Sequence, residues 1–486
     1  MRKRKMAAAL AAVLMIGSAL TGCGNGSSGK AGTTAATQAA TTQGQAETTT
    51  GETGAQAETA AGETNAPAEA KNYNSTFDVA GAGDVTLDVM ITSLGDSDGG
   101  PYLRGVMDDY MAMYPNVKLN PVECSMNDLY TTLITQATAG TLPDIFTMTE
   151  AYSANCLEMG MSVDNMAELL GEEYMGGLME AAVENATVDG TLVYMPWQNN
   201  ITAMVYRKDL FEEKGIEIPK TWDEFLAAAK TLTEDLDGDG KTDRYGAAFA
   251  GTRNDSAESR FQTFALTYGC DFVTKNNDGS FTSGFGTEEF KNAMTSFINM
   301  AANEGVTPPG FIETGYSEAY TMIAADQACM FFSASNVLGG IYNANPDMKG
   351  KMGSFPMPVA EGVDPVTSFS SVGMTISNTC KNPEVAADFL KYMTSVENSV
   401  EWNKATCRLP VVKDALTAIC EADEAYSGFA DASDSAVIYP AFAGLAELRD
   451  ACGECWQTVV AEGTSVDDAV ANAAAKAEEV AKSYSN

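Results

Sequence analysis

An abrupt change of composition at residue 72 decides where this chain can bury anything. From Gly24 to Asn72 the sequence is dominated by Gly, Ser, Thr, Ala, Gln and Glu and contains no Val, Ile, Leu, Met, Phe, Tyr or Trp. Such a stretch cannot offset the entropy of ordering itself. It reads as a flexible tether, with an end-to-end distance of roughly 35–42 Å for about fifty residues. The folded body is expected over 73–486, long enough to divide into at least two cores.

The segment ahead of the tether reads as an export signal. Arg2, Lys3, Arg4 and Lys5 form a basic start and Met6 to Leu20 an apolar run, too short to span a membrane as a mature helix. It ends in Leu20-Thr21-Gly22-Cys23, which resembles the lipobox of bacterial lipoproteins. That resemblance implies removal of 1–22, lipidation of Cys23 and anchoring on the outer face of the cell membrane, with 23–72 as the lipidated tether. A tether of this length suits a Gram-positive wall.

Charge and composition then remove whole classes of function. With 29 Lys and Arg against 66 Asp and Glu, the formal net charge is −37, so nucleic acid is excluded as a partner. There is no histidine, which removes Ser-His-Asp and Cys-His catalysis and imidazole metal sites. Nine cysteines remain after Cys23, so not all can pair. Cys452 and Cys455 have redox-like spacing, yet they fall in a helical stretch, 443–461, and are expected to pack as small apolar groups. A disulfide elsewhere stays open.

The body alternates strands and helices. Val85 to Ile91 reads as a strand; Leu103, Val106, Met107, Tyr110, Met111 and Tyr114 mark a helix that Pro115 stops. Val117 to Val122 is a second strand, a helix over Leu129 to Ala137 follows, and Pro143 to Met148 opens a third strand. This order implies an α/β fold with a mostly parallel sheet, in which ligands sit beyond the carboxyl ends of the strands. Thr221 with Glu224 is a capping box that opens a further helix.

The string from Asp189-Gly190 through Pro196-Trp197, Tyr206-Arg207-Lys208-Asp209-Leu210 and Pro219-Lys220-Thr221-Trp222 to Phe225 resembles, in order and spacing, the extracellular solute-binding proteins of ABC transporters, the maltose-binding-protein-like branch. Pro143-Asp144-Ile145 upstream and Asn382-Pro383-Glu384 to Leu390 downstream fit the same pattern. The resemblance implies a two-lobe periplasmic-binding-protein-like fold, each lobe a mostly parallel sheet flanked by helices, joined by a multi-strand hinge. Carried over, lobe 1 comprises 73–200 and 375–422, and lobe 2 comprises 201–374 and 423–486. It also implies capture of a small polar solute, foremost a sugar or oligosaccharide, by a monomer that delivers it to membrane permease subunits. No cofactor is required.

Sugar recognition needs aromatic faces and directional polar groups. The resemblance places ligand contacts at Trp197 and Asn200, in the loop holding Met148, Thr149, Glu150 and Tyr152 with Asp96 facing it, at Arg253, Asn254, Ser335 and Asn336, and at Arg408, with Trp402 beside it. Met148 and Asn336 stand where the maltose-binding member has stacking tryptophans, so a long malto-oligosaccharide does not follow. Asp235, Asp237, Asp239 and Asp243 have the first, third, fifth and ninth oxygen-ligand spacing of an EF-hand calcium loop, but its twelfth position is Gly246. The competing class is a secreted carbohydrate hydrolase with two carboxylates about 5–10 Å apart, for which no sequence signal marks a pair.

Overall fold

The computed structural model describes residues 73–485, apart from 74, 127 and 441; the export signal, Cys23 and the tether lie outside the described residues. Apolar positions segregate into two main cores. One is built by Val85, Leu87, Val89, Phe146, Trp197, Met374 and Trp402 among others. The second gathers Met204, Phe225, Phe249, Phe261, Phe264, Phe297, Phe332 and Trp456. Each core has its own sheet.

The first lobe carries six strands in the order Leu409–Pro410, Met195–Asn199, Ser371–Ile376, Ile145–Thr149, Val85–Met90 and Val117–Pro121. Val85–Met90 pairs parallel with both of its neighbours, as the alternating pattern predicts. The rest corrects the expectation of mostly parallel sheets. Ser371–Ile376 runs antiparallel to Ile145–Thr149 and to Met195–Asn199, and the three-stranded sheet of the second lobe, with Ala203–Arg207 central, is antiparallel throughout. The cause is chain direction. A helical crossover makes successive strands parallel, whereas Met195–Asn199 leaves the first lobe and Ser371–Ile376 returns to it.

Local signals behave as read. The capping box is complete: Glu224 N donates to Thr221 Oγ1 at 3.2 Å while the Glu224 carboxylate accepts from Thr221 N at 3.2 Å. Helix Pro383–Met393 has its proline in the first turn, but Asn382 makes no side-chain cap bond. The segment near 409–422 is shared: Leu409, Leu416 and Ile419 pack in the second core, while Val411, Val412 and Ala415 join a small cluster with Leu178 and Ile201. No helix among the described residues is long and apolar enough to cross a membrane.

In the second lobe, Arg207 is buried and ion-paired with Asp209 at 2.7 Å and with Asp326, which also holds Arg244 at 2.7 Å. Although burial alone pushes the Asp326 carboxyl up, the two guanidiniums outweigh it and hold its pKa below the usual carboxylate range. Its stabilising contribution is therefore present above the unfolded pKa of about 4 and is lost as pH falls through the lower folded value. Asp326→Asn should cost about 1–2 kcal/mol at neutral pH, because Asp326 is partly exposed, and the gap from wild type should close in urea melts run below about pH 4.

All nine described cysteines are unbridged. Cys452 and Cys455 lie in the core on helix Leu445–Glu462, and burial pushes the Cys455 thiol up to about 12. Mass spectrometry after iodoacetamide treatment of the native body should find both unmodified, and both labelled once the protein is unfolded.

Candidate functional site

The chain passes from the first sheet to the second through Asn200–Thr202 and returns through Ser368–Ser370, and the two passages are tied together: Asn200 N donates to Ser370 O at 3.0 Å and Thr367 Oγ1 to Thr202 O at 2.6 Å. Against this crossing lies a cavity of about 660 Å³. Its walls come from both lobes. The first contributes Glu150, Glu184 and Asn185; the second contributes Arg260, Gln262, Ser333, Asn336 and Arg449; Tyr439, Phe369 and Phe442 add aromatic surface.

Local folding explains why these side chains converge. Strand Ile145–Thr149 ends where helix Glu150–Glu158 begins, so Glu150 stands at the carboxyl end of a parallel strand, where ligands of α/β sheets sit. Strand Met330–Ser333 likewise delivers Ser333, and Asn336 opens the next helix, its Nδ2 donating to Tyr316 Oη at 3.2 Å. Helix Asp255–Leu266 carries both Arg260 and Gln262. Its start is fixed by Asn254, whose Oδ1 accepts from Ala257 N at 3.1 Å. Arg449 Nε donates to Gln262 Oε1 at 2.8 Å and its Nη1 to Asp255 Oδ1 at 2.8 Å. Burial raises the pKa of the Glu150 carboxyl; its own backbone N–H and Arg449 oppose the rise.

The structure brings some of the sequence-predicted residues together and separates others. Glu150, Asn200 and Asn336 line the cavity. Asp96 and Arg408 meet elsewhere, in an ion pair at 2.9 Å that lines a second cavity of about 550 Å³ with Ser93, Glu123 and Gln198. Trp197 is 2% exposed and packs on Trp402, ring centroids 4.6 Å apart, so it is a core residue and walls neither cavity in this conformation. Arg408 lies over the far ring at 5.5 Å. Met148 is also core, 1% exposed, because strand Ile145–Thr149 is buried up to its last residue.

Tyr152 stacks on Tyr130 at 4.3 Å, and Thr149 pairs with Val372 in the sheet. Ser335 is buried and its Oγ accepts from Leu409 N at 3.2 Å. Arg253 is exposed and ion-paired with Asp450 and Glu454. Sequence reading missed Gln262, Arg260, Tyr439 and Arg449. The last two follow residue 430, and only the packing of helix Leu445–Glu462 on helix Asp255–Leu266 brings Arg449 to the cavity.

Asp235, Asp237 and Asp239 hold carboxylate oxygens within 4.8 Å of one another, all exposed. Much of their capacity serves the loop itself: Asp235 accepts from the backbone N–H groups of Gly238, Asp239 and Gly240, and Asp243 from those of Leu236 and Asp237. Those backbone bonds lower the Asp235 pKa. A Cβ at Gly246 would stand 2.1 Å from Ala229 O, so no bidentate carboxylate fits the twelfth position, and the complete EF-hand donor set is not met.

Comparison with known proteins agrees with this architecture. Residues 95–400 match the family described as bacterial extracellular solute-binding protein. A putative binding protein of Brucella abortus is 24% identical over 410 residues, 83% of this chain and 94% of the relative. The multiple sugar-binding protein of Streptococcus mutans is 24% identical over 299 residues, 60% of this chain and 68% of its own length. The crystal structure of the cyclic alpha-maltosyl-1,6-maltose binding protein from Arthrobacter globiformis superposes with a TM-score of 0.67 at 25% identity, covering 82% of this chain and 100% of that one. With two lobes, strands crossing between them and a polar cavity at the crossing, the chain belongs to the bacterial extracellular solute-binding proteins.

Proposed function

We propose that the protein is the solute receptor of an ABC importer and that its solute is a sugar or short oligosaccharide held in the cavity of about 660 Å³. The observation that carries this reading is that both lobes wall that cavity at the point where the chain crosses between them, so a ligand there bridges two bodies. The volume lies within the roughly 300–1,000 Å³ of small-ligand sites. Carboxylate, amide, hydroxyl and guanidinium groups beside Tyr439 and Phe369 supply both directional hydrogen bonds and ring surface. The names of the Streptococcus and Arthrobacter relatives point to the same class of ligand.

A solute bound to both lobes stabilises the closed arrangement by its differential affinity for it, and that form docks on the permease. Binding needs no bond made or broken. The family is one of binding proteins, which favours this reading over carbohydrate hydrolysis. Lipidation at Cys23 and a tether to the outer face of the membrane complete the proposal. Calcium in the 235–243 loop would be structural only, since that loop shares no residue with either cavity.

A thermal-shift screen of residues 73–486 against mono- and oligosaccharides, amino acids and polyamines tests the receptor reading. A true ligand at a hundred times its Kd should add about 2.7 kcal/mol of stability. Asn200→Ala should remove the shift while the unliganded Tm changes little, whereas Trp197→Ala should lower the unliganded stability itself by about 3–5 kcal/mol. No shift with any sugar would remove the carbohydrate assignment. A Tm equal in calcium and in EGTA would remove the calcium site.

For the anchor, Cys23→Ala should move the protein from the membrane fraction to the culture medium. Retention on the membrane would overturn lipidation at that residue.

A further inference from the structure

The second-lobe wall of the cavity is made of donors. Arg260 makes three hydrogen bonds, all to neutral oxygens: Nη1 donates to Ser256 O at 2.5 Å and to Ser256 Oγ at 2.9 Å, and Nη2 donates to Ser333 Oγ at 2.9 Å. Its guanidinium lies 4.1 Å from the Tyr316 ring centroid, which fixes its plane. Among the described residues no carboxylate pairs with it, and its Nε is buried without an acceptor. The nearby carboxylate, Asp255, is committed to Arg449.

Gln262 repeats the pattern. It is 1% exposed, and Arg449 Nε, which can only donate, fixes which end of its amide is oxygen. Gln262 Nε2 is therefore the remaining end, and it too is buried without an acceptor. Arg260 and Gln262 thus both line one cavity, and each keeps a donor, itself without accessible surface, that nothing accepts from. Unmet buried donors are costly, and burial, opposed only in part by Tyr316 and Asp255, holds the Arg260 pKa below its ordinary value.

Resting on the sugar-receptor reading above, we propose that the solute is a sugar acid, a mono- or short oligouronide whose carboxylate is received by Arg260 and Gln262 while its hydroxyls face the first-lobe acceptors Glu150 and Asn200. A planar carboxylate offers two oxygens to a guanidinium and an amide together. A neutral pyranose offers hydroxyls, each of which accepts weakly and leaves the cation unpaired. The chain's net charge of −37 does not forbid this, because charges beyond about 8 Å are screened at physiological ionic strength. It does disfavour a long polyuronide, whose charges would extend beyond the cavity. Glu150, on the first-lobe wall, meets the hydroxyl end of the ligand.

Isothermal titration of the body with D-galacturonate, D-glucuronate and digalacturonate, each beside its methyl ester and the parent neutral sugar, tests the proposal. The ester keeps shape and removes charge. At least one acid should bind on the order of 10- to 100-fold more tightly than its ester, and Arg260→Gln should abolish that preference, with circular dichroism verifying its fold. Because the acid-to-ester ratio is read on the wild-type protein, an unfolded variant does not rescue a failed proposal. Equal or tighter binding of esters and neutral sugars would overturn the sugar-acid assignment and leave the receptor reading standing. No binding of any carbohydrate would overturn both.

Discussion

Two strands running in opposite directions through one sheet hold the architecture together. Met195–Asn199 takes the chain out of the first lobe and Ser371–Ile376 brings it back, and the two pair directly. Their junction is fixed by a buried polar knot: Asn185 Oδ1 accepts from Ser371 N at 3.0 Å, from the Ser371 hydroxyl at 2.9 Å and from Tyr194 Oη at 3.2 Å. Satisfied polar groups in a low-dielectric interior lock geometry more firmly than apolar packing does. The knot sits where the cavity begins, since Asn185 is also one of its walls. The same few residues therefore set the separation of the lobes and the shape of the binding space.

This division of labour explains the aromatic residues at the crossing. Trp197 and Trp402 look like sugar platforms in a sequence, because large rings near a cleft motif usually are. In the structure they pack against each other at a tilt of 36° inside the first core, beneath the ion pair of Arg408 and Asp96. Gly99 is needed beside them, as a Cβ there would stand 2.6 Å from the Trp402 ring. The pair stiffens the end of the outgoing strand, and the cavity wall begins at Asn200, the first residue after that strand.

Legibility in the sequence follows from the range of the interaction concerned. The helix over Trp222–Leu232 was readable because capping is decided within four residues, and the strand that ends before Glu150 because Ile145, Phe146 and Met148 follow directly on the breakers Gly140 and Pro143. The direction of Ser371–Ile376 was not readable, since it depends on which lobe the chain occupied for the preceding 170 or so residues. Gln262 shows the limit most clearly. In the sequence it is one of seven polar residues in a twelve-residue helix, and its orientation is decided by Arg449, 187 positions away. Asp235 to Asp243 show both sides: the oxygen-ligand spacing and Gly246 at the twelfth position are local and readable, whereas the packing of Gly246 against Ala229, which keeps a side chain out of that position, is not.

The asymmetry of the cavity has a physical consequence for selectivity. In a chain this acidic, carboxylates are abundant and a carboxylate in a binding site costs little to place. An unpaired guanidinium is the rarer event, because nearly any arrangement would offer it an acid. Here the cation is instead held between Tyr316 and two serines, with its acidic neighbour Asp255 bound to Arg449. Arg449 thereby acts twice, withdrawing Asp255 from Arg260 and orienting the Gln262 amide so that its donor end is left over. Replacing Arg449 would release Asp255 to neutralise Arg260 and free Gln262 to rotate, so both donors would be lost to a ligand through one substitution at a residue that need not touch it. Discrimination between an anion and its neutral counterpart then rests on the order in which three side chains pair, and that order is set by how the two helices carrying them pack.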